Sequence, residues 1–218
     1  MPRKILLTSF QTWLPHQASN ASDDLLEVIA QLDTPSTSLT FLRQLPVDVS
    51  EASSRAIAKI KELQPDAIIC CGMAESRTKL TVESCATCGY SSYRIRLYRY
   101  CLSICKILRL KRLQSFLPAL LANSNQPNSI LIKTSVELDK LITGLAGTEI
   151  SHDAGKFVCE GLYYQVLKYL TESNLNIHCI FVHVPVLTPE DSPRIVADFR
   201  LIIEKMASFT NIFERPVI

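Results

Sequence analysis

The chain has 218 residues, 47% of them hydrophobic and 20% charged, with a formal net charge of +2. That is enough for one sizeable core and short for two full domains, so residues 1–218 are expected to form a single domain, and the small charge gives no ground for a nucleic-acid partner. Eight cysteines read as reduced thiols rather than a disulfide framework in a chain expected to be cytoplasmic.

Lys4 to Ser9 is predicted as the first strand, and its apolar run is too short for a signal-peptide core. Ser22 to Leu32 reads as a helix whose Asp23 and Asp24 suit its N-terminal dipole. A strand over Ser38 to Leu45 follows. Ser50 is the expected cap of the next helix, where Ala52, Ala56, Ile60 and Leu63 repeat at helical spacing before Pro65. The continuous apolar run from Ala67 to Gly72 fits a strand buried on both faces, and Lys79 to Glu83 is a short strand-like run that ends on a carboxylate.

The middle of the chain has a different character. No acidic residue occurs from Ser84 to Val136, while Arg94, Arg96, Arg99, Lys106, Arg109, Lys111 and Arg112 fall within it. Residues 93–130 are therefore expected to be a basic insertion into the domain, or else a helix for partner or membrane contact. Charges interrupt its apolar stretch, which excludes a simple membrane span. Cys85-x-x-Cys88 with Cys101-x-x-x-Cys105 imitates the spacing of a zinc site, but the second pair lies in a leucine-rich run where cysteine is commonly a small hydrophobe, so no metal is expected. Nor does the segment carry a nucleic-acid recognition motif.

Beyond it, a helix near Val136 to Leu145, a strand near Glu149 to His152, a helix after Gly155, a strand over Ile177 to Val184 and a helix over Ser192 to Met206 are predicted. Strands alternating with helices imply a three-layer α/β/α sandwich with a mostly parallel central sheet. Such sheets gather their sites at the carboxyl ends of strands.

Cys159 closes the run from Ser151 and falls in the first turns of a helix with Leu162, Val166 and Tyr169 on one stripe. Unpaired N–H groups at a helix N-terminus favour a thiolate. His183, at the end of an apolar strand, is the candidate base, and Glu83 the candidate orienting carboxylate. Read singly, each has a plain alternative: Cys159 as packing, His183 as a satisfied buried imidazole, Glu83 as a strand-end charge. His16, His152 and His178 read as structural or surface groups, with His152 placed to tune the nucleophile.

Taken together, these segments resemble the pyroglutamyl peptidase I family, the pyrrolidone carboxyl peptidases. Leu6-Leu7-Thr8-Ser9-Phe10 is similar to the family's first strand, Leu45-Pro46-Val47 to its Leu-Pro-Val, and Asp66 to Gly72 to the strand before its glycine loop. Arg77 followed by Thr81-Val82-Glu83 resembles the exit of that loop toward the catalytic glutamate. Ala154-Gly155 with Phe157-Val158-Cys159, and Val182-His183-Val184-Pro185, carry the closest likeness. The resemblance implies a cysteine peptidase that removes N-terminal pyroglutamate from peptides with Cys159 as nucleophile, His183 as base and acid and Glu83 as orienting group. It also implies no metal or organic cofactor, and a possible homo-oligomer. Phe10 and Trp13 stand where the family's aromatic residues line the lactam pocket, Met73 stands where many members carry Gln, and Asn20 lies one position from the family's loop asparagine.

The chain also departs from the pattern. Ser9-Phe10-Gln11-Thr12-Trp13-Leu14-Pro15 lacks the glycines of the family's first loop, and nothing around Tyr93-Arg94-Ile95-Arg96 matches the segment that carries its oxyanion arginine. Losing one oxyanion donor costs about 2.7 to 4 kcal/mol. A slow enzyme, another donor, or a catalytically impaired relative acting as a binding or accessory module are the outcomes this difference allows.

Overall fold

Strand and helix alternate in the computed structural model, which describes residues 2–32, 37–87 and 130–209. The elements are β1 (Arg3–Phe10), α1 (Ala21–Ala30), β2 (Thr37–Leu45), α2 (Val49–Leu63), β3 (Ala67–Met73), β4 (Leu80–Glu83), β5 (Cys85–Thr87), β6 (Leu131–Lys133), α3 (Leu138–Ile142), β7 (Thr148–Ser151), α4 (Val158–Glu172), β8 (His178–Val184) and α5 (Ser192–Ser208). Six strands form one sheet in the order β2-β1-β3-β8-β4-β7, and β5 pairs with β6 in a small antiparallel ribbon.

The apolar runs of β1, β3 and β8 are continuous because both sheet faces are covered. Alternate residues feed two separate cores. Ile5, Leu7, Ile69, Cys71, Ile180 and Val182 pack under α1, α3 and α5. Leu6, Ile68, Cys70, Cys179 and Phe181 pack under α2 and α4. This is a three-layer α/β/α sandwich whose sheet is mostly parallel. The exception is the β4–β8 pair, which is antiparallel, with Thr81 opposite His183 and Glu83 opposite Phe181. Since β7 runs parallel to β4, both of these strands point away from the edge at which β1, β3 and β8 end.

That reversal corrects one expectation. His183 does lie at the carboxyl end of a strand, but the strand before Cys159 runs down the sheet. Residues 152–157 carry the chain back up before α4 begins. A second correction concerns α2, which is capped by Asp48 rather than Ser50: the Asp48 carboxylate accepts from the Glu51 amide at 3.0 Å, and Ser50 is already helical. The α1 cap is Asn20, whose side chain accepts from the Ser22 amide.

Most of the expected basic insertion, residues 93–129, lies outside the described residues, as do Cys88, Cys101 and Cys105 of the zinc-like spacing. Cys70, Cys71, Cys85, Cys159 and Cys179 are free thiols. Among the described residues, no helix is long and apolar enough to cross a membrane.

Candidate active site

At the edge where β1, β3 and β8 end, the α4 N-terminus and two loops enclose a cavity of about 450 Å³. Phe10, Trp13, Met73, Cys159 and His183 all line it, so the structure brings these five sequence-selected residues to one place. Glu83 stands behind His183, fully buried.

The histidine is fixed by its strand and by its partner. His183 is 5% exposed, and its Nδ1 lies 2.7 Å from Glu83 Oε1, with the Phe181 ring 4.9 Å from the imidazole. A carboxylate can only accept, so Nδ1 donates and the neutral ring has Nε2 left as acceptor. Because side chains alternate along a strand, Thr81 and Glu83 share the face that His183 occupies on the neighbouring strand. From α4, the Tyr163 hydroxyl donates to the Glu83 carbonyl at 3.1 Å. Tyr163 is one helical turn beyond Cys159, so the helix that presents the sulfur also grips the strand that presents the carboxylate.

Arg77 completes this corner. One guanidinium nitrogen, Nη1, pairs with Glu83 Oε1 at 3.0 Å and also donates to the Thr81 hydroxyl. The other, Nη2, donates to the Asp153 carbonyl at 2.9 Å. The sequence marked Arg77 only through its resemblance to a loop exit. Its spacing from Thr81 and Glu83, which alternate onto one face, was the signal for more.

Cys159 is the second residue of α4, and its sulfur sits over the backbone of β3. A Cβ at position 72 would stand 2.7 Å from that sulfur and 2.9 Å from Phe181 Cζ, so only glycine allows the approach. The returning loop turns at Gly155, with φ +88, a conformation costly for any residue with a Cβ. Burial first, and the Glu83 charge second, push the Cys159 thiol up to about 12; the Cys159 backbone amide and Arg77 pull the other way but are outweighed. This overturns the expectation of a thiolate stabilised by the helix end. Desolvation at the partly buried sulfur exceeds what the partial charge of one helix terminus returns.

The cavity walls are mainly apolar. Phe10 is buried in the core beneath, while Trp13 is 38% exposed and packs on Phe157, ring centroids 5.7 Å apart. Phe157 escaped the sequence reading because it looked like part of a nucleophile motif and not like a wall. Met73 Sδ accepts from the Ala21 amide at 3.3 Å, and Asn20 Nδ2 donates to the Gln11 carbonyl at 3.2 Å, which ties down the loop between β1 and α1. At the rim, Gln17 Nε2 donates to Glu75 Oε1 at 2.8 Å; this bond, aided by His16, holds the Glu75 carboxyl below its usual range.

The other histidines stand elsewhere. His152 Nδ1 meets the Ser84 hydroxyl at 2.7 Å, and His178 meets Ser135 at 3.0 Å. No group of three or more His, Cys, Asp or Glu among the described residues is arranged to hold a metal.

Comparison with known proteins bears on the family and the fold. A family profile described as pyroglutamyl peptidase matches residues 133–198. The pyrrolidone-carboxylate peptidase of a Thermoanaerobacter species is 30% identical over 190 residues, which is 84% of this chain and 83% of the relative. That of Bacillus licheniformis is 25% identical over 206 residues, covering 94% and 89%. Among solved structures, pyroglutamyl peptidase I from Bacillus amyloliquefaciens superposes with a TM-score of 0.72 at 18% identity, covering 99% of this chain and 100% of its own. The pyrrolidone carboxyl peptidase of Fervidobacterium islandicum gives 0.70 at 18% identity, covering 95% and 100%. At these identities, the two structures speak for the fold.

Proposed function

The chain belongs to the pyroglutamyl peptidase family of cysteine peptidases, and from that premise we propose that it removes N-terminal pyroglutamyl residues from peptides by a Cys159-His183-Glu83 mechanism. The observation that carries the reading is the 2.7 Å bond between His183 and a fully buried Glu83, behind a cavity that also holds the Cys159 sulfur.

The small neutral lactam ring enters the apolar end of the cavity, against Phe10, Trp13 and Met73. As the sulfur attacks the pyroglutamyl carbonyl, its proton passes to His183 Nε2 and the C–S bond forms. Glu83 holds the imidazole in the tautomer that can accept and stabilises the imidazolium produced. His183 then gives that proton to the leaving amine as the C–N bond breaks, leaving a thioester. Water attacks the thioester, with His183 taking its proton and returning it to sulfur. The first amides of α4, which a helix cannot pair internally, supply oxyanion donors, in a sequence where nothing around Arg94 and Arg96 matches the segment that carries the family arginine.

The test is release of a fluorogenic amine from a pyroglutamyl substrate under reducing conditions, by wild type and Cys159→Ala in parallel. Hydrolysis is expected from wild type and none above background from the variant, with both equally folded by circular dichroism. Equal turnover in the two proteins removes Cys159 as nucleophile. Absence of turnover by folded wild type removes the peptidase reading and leaves a binding module.

A further inference from the structure

Among the described residues, Arg77 is the one cation that touches both Glu83 and the loop leading to Cys159, and the mechanism above gives it no role. Its contacts divide by direction: Nη1 goes to Glu83 Oε1 and Thr81 on β4, and Nη2 to the Asp153 carbonyl in the loop before α4. Its side chain is 24% exposed and lines the cavity, so it reaches from the rim inward to a carboxylate that is itself fully buried. Five rigidly arranged donors let one guanidinium serve a strand and a loop together, which an ammonium cannot do.

We propose that Arg77 is a positioning residue: it aligns Glu83 with His183 on one side and fixes the Asp153 loop, and through it Cys159, on the other. Two observations converge on this. Glu83 Oε1 receives both Arg77 and His183 Nδ1, so the guanidinium limits where the shared oxygen can sit and how strongly it charges the site. The Asp153 loop is tied at His152 to Ser84, at 2.7 Å, and at Phe157 to the Trp13 ring; between those two ends Arg77 holds the Asp153 carbonyl, beside the short-range bond from the Gly155 amide to Asp153 Oδ1 at 2.9 Å. The groups acting on the Cys159 thiol are then Glu83 from β4, Cys70 from β3 and Arg77 from the loop between them, with His183 on β8 sharing the cavity. Arg77 supplies the cationic influence that offsets Glu83.

The proposal rests on the peptidase reading for its turnover assay but not for its second readout. Arg77→Gln is expected to lower kcat by roughly tenfold to a hundredfold with little change in KM, the scale of losing a hydrogen bond to a charged group. Alkylation of Cys159 by iodoacetamide, followed by peptide mass mapping without substrate, is expected to require higher pH in the variant, because Glu83 is no longer offset. Arg77→Lys, which keeps the charge but cannot span both partners, is expected to restore the alkylation profile and not kcat; it carries the same test if the Gln variant melts below the assay temperature.

An alkylation profile that stays in place, or moves to lower pH as a merely loosened loop would make it, overturns the proposal. So does full kcat in either variant when wild type is active. If wild type does not cleave pyroglutamyl substrates, the alkylation profiles of the two variants still decide the role of Arg77.

Discussion

Asp23 and Glu83 are both buried near the edge at which β1, β3 and β8 end, and they are treated in opposite ways. Asp23, at the start of α1, accepts from Ser9 Oγ at 2.6 Å, from Arg43 Nε and Nη2 at 2.8 Å each and from Gln44 Nε2 at 3.1 Å. Both of its oxygens are satisfied. Glu83 concentrates His183 and Arg77 on Oε1, and its Oε2 is buried without a hydrogen-bond partner among the described residues. A saturated carboxylate is a structural tie between β1, β2 and α1. An unsaturated one beside an imidazole and a thiol is held at a cost in desolvation, which fits the proposed role of Glu83 in orienting His183.

The contrast predicts that stability and activity separate between the two sites. Glu83→Gln is expected to reduce kcat by about 10⁴-fold, the scale seen when an orienting carboxylate is replaced and the histidine tautomer is lost. Its unfolding midpoint in urea should move little, since the amide keeps the shape and one acceptor. A large fall in stability with modest loss of kcat would erase the distinction.

Asp23→Asn should do the reverse, costing about 2 kcal/mol by urea denaturation because Arg43 loses its bidentate partner and keeps only the exposed Glu27, at 3.2 Å, as counter-charge, with kcat retained. Burial acts to raise the Asp23 carboxyl, but hydrogen bonds from Arg43, Ser9 and Gln44 outweigh it and hold it below the ordinary 3.8. A depressed carboxylate contributes stability that is complete above its unfolded value and is lost as pH falls through the folded one. The acid limb of stability against pH should therefore flatten in the Asn variant; an identical limb in both proteins would mean that other carboxylates govern it.

The smallest effect belongs to Ser9→Ala, which removes one of four bonds to Asp23. About 1 kcal/mol of stability should be lost with no change in turnover. A loss of activity here would show that the Asp23 cluster reaches into the cavity through the adjoining Phe10.

The layered sheet was legible in the sequence because its cause is local. Ala67 to Gly72 is apolar throughout since both faces of β3 are covered, and the turn residues around it set its ends. The cap of α2 was misread because Asp48 and Ser50 are both good caps, and only the chain's entry angle selects the first. The upward push on the Cys159 thiol was not legible at all. Helix position is written in sequence, whereas the burial and the Glu83 charge that dominate it come from β3 and β4, far along the chain. Arg77 illustrates the same limit: its partners at positions 81 and 83 are near in sequence, but its hold on Asp153 spans 76 residues.

The antiparallel seam between β4 and β8 carries a last implication. Strand β4 is only four residues long, and its register against β8 alone decides that Glu83 shares a face with His183. A slip by one residue would rotate the carboxylate to the opposite face and into the aliphatic core beneath α3 and α5. Amide hydrogen exchange across Thr81 to Glu83 therefore measures the free energy of opening the seam on which the placement of the carboxylate depends.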